Sequence, residues 1–131
     1  MSLQRMDTLM RAARSQKIAL GAFECWDSLN IQGIAMAADR TKTPVIFQAT
    51  SMEYGPIGGP EALACMVNFY IKHYNLDAAL HLDHGNSLKE VEECLKAGFS
   101  SVMLDASVQV FEENVRLSKE AADMAHAFNA S

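Results

Sequence analysis

An acid and a histidine, Asp83 and His84, end an apolar segment that has the length of a β-strand. A carboxylate beside an imidazole can bind a metal ion or move protons. Gly85 follows directly, and a glycine lets the backbone turn at once and approach a ligand closely. Ser87 and Glu90 then form the Ser-x-x-Glu pattern of a capping box, which predicts that a helix begins there. The segment is therefore predicted to be a strand, a site-forming corner and a helix.

Polar residues also end the other predicted strands. Glu24 ends the first strand, Thr50 the second and Asp105 the fourth, each shortly before a predicted helix. In a closed parallel barrel, the carboxyl ends of all strands surround the same mouth. Three acids and a histidine converging there would suit a metal ion.

A regular alternation of apolar runs and helical stripes positions these strand ends. Apolar runs typical of strands cover residues 18–23, 45–49, 77–85 and 99–104, and each is followed by apolar residues at helical spacing. Another helix, residues 3–16, precedes the first strand. The units repeat roughly every 25 to 30 residues, and such alternation predicts parallel strands joined by crossover helices.

Composition limits the classes of function. The 131 residues, half of them apolar, are enough for one globular domain. The net charge of −5 without a basic cluster argues against nucleic acid as a partner, and no apolar run has the length of a membrane span.

The cysteines and the amino terminus indicate the compartment. The three cysteines, Cys25, Cys65 and Cys94, lie far apart in the sequence, and we expect each to be a buried, reduced residue in the cytoplasm. The amino terminus lacks the apolar region of a signal peptide. A loop is predicted after the second strand, and its glycines within residues 55–59 are predicted to form a surface turn rather than a phosphate loop.

The sequence resembles the class II, zinc-dependent aldolases that act on fructose or tagatose 1,6-bisphosphate. The Leu-Asp-His-Gly and Ser-Val-Met-x-Asp motifs at this spacing are specific to that family, and shorter matches extend the resemblance over nearly the whole chain. The matching segments are residues 79–85, 98–107 and 112–114, preceded by 21–23, 37–38 and 44–48.

The resemblance implies that residues 1–131 form the amino-terminal half of a (β/α)₈ TIM-type barrel, with about four β/α units. The implied activity is zinc-dependent retro-aldol cleavage of a ketose bisphosphate into dihydroxyacetone phosphate and an aldehyde. Asp83 would be the catalytic acid/base that takes the proton of the C4 hydroxyl. His84 would be a zinc ligand, and Asp105 could serve a second cation. Thr50 stands where the family often has Ser, so it would contact the substrate.

Two departures from the family shape the expectations. The family's other zinc histidines lie in the second half of the barrel, so we expect this chain alone to be inactive. His81 is expected to be structural, and His73 and His126 to lie on helix faces. Glu24 is a candidate substrate contact, but the family usually has Asn at this position, and a negative charge there would repel a phosphate or recruit a cation.

Three alternatives remain open at this point. The chain could act on a sugar phosphate as its substrate. It would do so either as a homo-oligomer or paired with the missing carboxyl-terminal half. It could instead be a non-catalytic half-barrel that acts by self-association, because four β/α units leave two open sheet edges. A third alternative is a different barrel enzyme whose metal site is changed around Glu24.

Overall fold

The computed structural model describes residues 3–131. Residues 1 and 2 lie outside the described residues, and they belong to the amino terminus that is predicted to lack a signal peptide. Four parallel strands form one sheet in the order β1-β2-β3-β4, with helices between them. This confirms the predicted parallel α/β fold with four β/α units. The elements are α1 (Met6–Gln16), β1 (Gly21–Glu24), α2 (Ser28–Thr41), β2 (Val45–Ala49), α3 (Ser51–Tyr54), a 3₁₀ turn (Gly55–Ile57), α4 (Pro60–Tyr74), β3 (Ala78–Gly85), α5 (Leu88–Ala97), β4 (Ser101–Leu104) and α6 (Phe111–Ala127).

Two strands begin later than their apolar runs predict. The first residues of each run close the preceding helix instead: the Ile18 amide donates to the Ala13 carbonyl, and the Phe99 amide donates to the Cys94 carbonyl. Such bonds satisfy carbonyl groups that a helix end leaves without partners. The first strand therefore begins at Gly21 rather than at residue 18.

The segment after β2 is also more ordered than predicted. Residues 51–57 form the short helix α3 and a 3₁₀ turn, where the sequence predicted only a loop. Thr50 caps α3 and Glu53 returns the bond to the Thr50 backbone, which completes a capping box. The cap gives a helix of only four residues the hydrogen bonds it needs to begin.

Helices bury one face of the sheet, and α1 covers the other face at the amino ends of the strands. On the outer face, Phe47, Leu80 and Leu82 are fully buried in one core with residues of α2, α4 and α5. On the inner face, Leu9 of α1 packs with Ile46 at the amino ends of the strands. Since α1 covers that end, the polar residues at the carboxyl ends stay accessible.

The cysteines follow the predicted pattern in two of three cases. Cys25 and Cys94 are buried free thiols, and burial raises the pKa of each to about 12. Cys65, predicted to be buried, is exposed because it lies on the solvent side of α4. Among residues 3–131, none of the helices is long and apolar enough to span a bilayer.

Candidate active site

A β-bulge at the end of β3 places Asp83 and His84. Leu82 pairs with Val102, but Gly85 pairs with Leu104, so β3 uses one residue more than β4 over this stretch. His84 adopts a left-handed backbone with φ of 46°. Successive residues of a regular strand point to opposite faces, and a bulge relieves that restriction. Asp83 and His84 can therefore both contribute to one site.

Gly85 serves the packing of β3 against β4 rather than the turn. Its carbonyl accepts the Asp105 amide at 2.8 Å, and a Cβ added to Gly85 would lie 2.7 Å from the Met103 carbonyl oxygen. The left-handed residue that turns the chain is His84, whereas the sequence assigned the turn to the glycine. The group that lies closest to Gly85 is thus the backbone of β4.

A glutamine joins the first three strands at the mouth. The Gln48 Nε2 atom donates to one oxygen of Glu24 and, at 3.2 Å, to Asp83 Oδ2. An uncharged donor between two carboxylates offsets their mutual repulsion. Sequence reasoning did not assign Gln48 to the site, although an amide in an otherwise apolar strand was a signal. The parallel register places it directly beside Glu24.

The histidine of the bulge pairs with the acid after β4. His84 Nδ1 lies 2.8 Å from Asp105 Oδ2, and His84 Nε2 lies 4.0 Å from Asp83 Oδ1. The Asp105 bond, and then the charge of Asp83, raise the pKa of His84. Bonds from Ser107, and then from His84, lower the pKa of Asp105 to about 2. The His84 side chain is 59% exposed, so its ring remains open to a ligand.

Replacing Asp105 by Asn is expected to lower the pKa of His84, because the carboxylate that stabilises the imidazolium is lost. The folded-state pKa of His84 is raised above 6.5, so its contribution to stability is lost as pH rises through that raised pKa. The lowered pKa of Asp105 makes its contribution disappear as pH falls from 3.8 toward about 2. The pair therefore stabilises the fold fully between about pH 3.8 and pH 6.5, the ordinary pKa values of the two groups.

NMR titration of His84 and thermal unfolding against pH measure these effects. The control is Asp123→Asn, which removes a carboxylate paired with Lys119 on the exposed face of α6. An unchanged His84 pKa in Asp105→Asn would contradict the assigned pairing.

Thr50 and Glu24 differ in how they relate to the hydrogen-bond network that joins Gln48, Asp83 and Glu24 at the mouth. The Thr50 hydroxyl bonds to Glu53 Oε2 at 2.5 Å within the capping box, so it lies at the strand end but is engaged in starting α3. Glu24 belongs to the network through Gln48, and its second oxygen is buried with no hydrogen-bond partner in the described part of the chain. Their predicted substrate contacts remain predictions.

The other histidines lie where the sequence predicts. His81 is buried on the inner face, where its Nδ1 lies 2.8 Å from the Ser101 hydroxyl and burial lowers its pKa. His73 and His126 are exposed residues of α4 and α6. These three residues are structural or surface positions, separate from the pair at the bulge.

The donors at the mouth fit part of a zinc site. A catalytic zinc normally has three protein ligands and one open position. His84 Nε2 can bind a metal while Nδ1 is held by Asp105, the arrangement that fixes the ring of many metal-bound histidines. Within residues 3–131, no group of three or more His, Cys, Asp or Glu residues is arranged to hold a metal ion. These residues alone therefore do not form a complete zinc site.

Comparisons with known proteins agree on one family. Residues 4–131 match the family model described as fructose-bisphosphate aldolase class-II. The chain is 36% identical over its whole length to a fructose-bisphosphate aldolase of Geobacillus stearothermophilus, of which it covers 46%. It is 34% identical to a 6-phospho-5-dehydro-2-deoxy-D-gluconate aldolase of Bacillus subtilis, with 95% of this chain and 44% of the relative covered.

A comparison with solved structures also finds an aldolase. The YdjI aldolase from Escherichia coli K12 superposes with a TM-score of 0.89 at 29% identity, covering 98% of this chain and 49% of that one. The chain thus spans about half the length of the relatives it matches. On the strength of the family match, the sequence identity and the shared fold, this chain belongs to the class II fructose-bisphosphate aldolase family.

Proposed function

We propose that this chain provides one half of the site of a zinc-dependent aldolase that splits a ketose phosphate or bisphosphate into dihydroxyacetone phosphate and an aldehyde. The observation that carries the proposal is the bulge of β3, which brings Asp83 and His84 to the mouth together in a chain of this family. The names of the relatives support a phosphorylated sugar or sugar acid as the substrate class.

Asp83 is the proposed acid/base. Its Oδ2 atom accepts a bond from Gln48, while Oδ1 lies on the side of His84 Nε2. The carboxylate takes the proton of the C4 hydroxyl, the bond between C3 and C4 breaks, and its electron pair passes to C3 of the three-carbon fragment. That fragment takes up a proton to give dihydroxyacetone phosphate, and Asp83 releases the proton it took. The hydroxyl carbon becomes the aldehyde. A carboxylate within hydrogen-bond reach of that hydroxyl is the group this proton transfer requires.

His84 is the proposed zinc ligand, through Nε2. Asp105 holds the other ring nitrogen and so fixes the orientation of the ring, and a direct role of Asp105 at a second cation is a further proposal. A bound zinc would supply Lewis-acid polarisation of the ketose carbonyl. Thr50 and Glu24 are the proposed substrate contacts at the ends of the first two strands. The charge of Glu24 favours contact with a hydroxyl group over contact with a phosphate.

The chain by itself is expected to show no substantial aldol cleavage with added zinc, because residues 3–131 lack a complete set of metal donors. The measurement is release of dihydroxyacetone phosphate from fructose and tagatose 1,6-bisphosphate, with a full-length relative as the positive control. Substantial turnover by the chain alone would refute the incomplete-site part of the proposal.

A second candidate is a non-catalytic half-barrel that acts by association. It is favoured by the two edge strands, β1 and β4, and by the large apolar side chains exposed near them. Phe23 on β1 is 50% exposed, and Phe111 at the start of α6 is 77% exposed. Sedimentation over a range of concentrations discriminates, since a stable dilute monomer argues against association. The free thiols support a reducing, cytoplasmic location under either candidate.

A further inference from the structure

The capping box predicted at Ser87 and Glu90 forms only in part. The Ser87 hydroxyl accepts the Glu90 amide at 3.2 Å, as the pattern predicts. The Glu90 carboxylate would normally return a bond to the Ser87 backbone. It accepts instead from the Asn86 amide at 2.7 Å and from the hydroxyl of Tyr54, which lies 36 residues away in the sequence. A carboxylate that could serve a helix cap thus joins the turn after β3 to α3.

Tyr54 gives this carboxylate a fixed partner. Its side chain is 6% exposed and packs edge-to-face on Phe99 with ring centroids 6.4 Å apart. Its hydroxyl also lies 3.9 Å from the Cys94 sulfur. Burial, and then the bond to Glu90, raise the pKa of Tyr54 well above its ordinary value, so the hydroxyl stays protonated and donates. The tyrosine is the last residue of α3, so it belongs to the segment that follows β2.

Asn86 is the other end of the connection and lies two residues after His84. Its side-chain amide lies 3.3 Å from Glu90 Oε2 and 3.4 Å from the Ser51 hydroxyl. The turn after β3 is therefore held to the start and to the end of α3. A non-glycine residue in the left-handed region, such as His84, costs free energy and persists only when its surroundings hold it.

We propose that Glu90, supported by Tyr54, is a positioning residue that fixes the turn after β3 and thereby directs the ring of His84 toward Asp105. This inference rests on the proposed function, in which His84 and Asp83 work at the mouth of the barrel. Glu90 itself touches neither of them and acts only through Asn86 and the backbone between.

Two spectroscopic readouts test this role in the chain as it exists. Glu90→Ala is expected to speed hydrogen exchange of the Asn86 amide by about tenfold and to move the ¹⁵N shifts of the His84 ring at fixed pH. Tyr54→Phe removes only a hydroxyl, and it should move both readouts in the same direction by less. Glu90→Gln keeps an acceptor oxygen for the Asn86 amide and should restore most of the protection.

Glu93→Ala is the matched control, because Glu93 lies on the same helix and pairs with Lys89 at the surface. It should change neither readout. Unchanged His84 ring shifts in both Glu90→Ala and Tyr54→Phe would overturn the proposal, even if the melting temperature falls, since loss of a helix contact alone would explain that fall. Neither readout needs zinc or substrate, so the result stands apart from success or failure of the proposed aldolase activity.

Discussion

Aldol cleavage is expected to fall by about 10²–10⁴-fold when Asp83 is replaced by Asn in a complete barrel. The barrel is made by joining residues 3–131 to the carboxyl-terminal half of the Geobacillus stearothermophilus relative, which this chain matches at 36% identity. Asn has nearly the same shape and can still accept the bond from Gln48, but it cannot take the proton of the C4 hydroxyl. The loss should therefore appear in kcat, with little change in KM.

The control for this experiment is Asp123→Asn, which removes a similar charge on the exposed face of α6. It should leave kcat and the melting temperature of the fused protein unchanged. If the Asp83→Asn protein folds and retains cleavage within about twofold of the parent, Asp83 is not the acid/base. A parent fusion that folds and binds zinc yet cleaves no ketose phosphate would count against the proposed function itself.

Gly85→Ala is expected to lower the free energy of unfolding by about 2–3 kcal/mol, near the upper end for an overpacked site. The added methyl carbon would lie 2.7 Å from the Met103 carbonyl oxygen and 2.8 Å from a Leu82 methyl group. The Leu82 side chain can rotate, but the carbonyl belongs to β4 and cannot move without disturbing the strand pairing. Urea unfolding followed by circular dichroism measures the change.

Gly33→Ala provides the contrast, since a methyl group added there meets nothing within 4 Å and the position lies inside α2. Alanine favours a helix more than glycine does, so this variant should be more stable by about 1 kcal/mol. Equal stability of Gly85→Ala and the parent chain would show that β4 can yield, and would contradict the assigned role of Gly85.

The sequence predicted the fold class and the meeting of strand ends because both depend on periodicity. Apolar runs alternate with helical stripes, and parallel strands necessarily place their carboxyl ends at one edge. Asp83, His84 and Asp105 were therefore expected near one another, and the structure brings them together. Gln48 was missed, because its importance comes from two carboxylates on neighbouring strands and not from its own segment.

The bulge could not be predicted in the same way. Strict alternation along β3 would send Asp83 and His84 to opposite faces, and only the pairing with β4 shows the extra residue that changes this. Likewise, the starts of the first and fourth strands were misplaced at residues 18 and 99, where backbone bonds to the preceding helix take priority over strand pairing.

Two copies of one local pattern show what the sequence determined and what it left to the tertiary structure. Thr50 with Glu53 and Ser87 with Glu90 both follow the Ser/Thr-x-x-Glu pattern, and a helix begins after each, although only the second was predicted to begin a helix. Glu53 completes its cap within the same turn of chain, whereas Glu90 turns to the distant Tyr54. The start of a helix depends on bonds between near neighbours, so the pattern that begins each of these helices is present in the local sequence. The partner of a carboxylate depends on which donors folding brings within reach, and only the tertiary structure decides that.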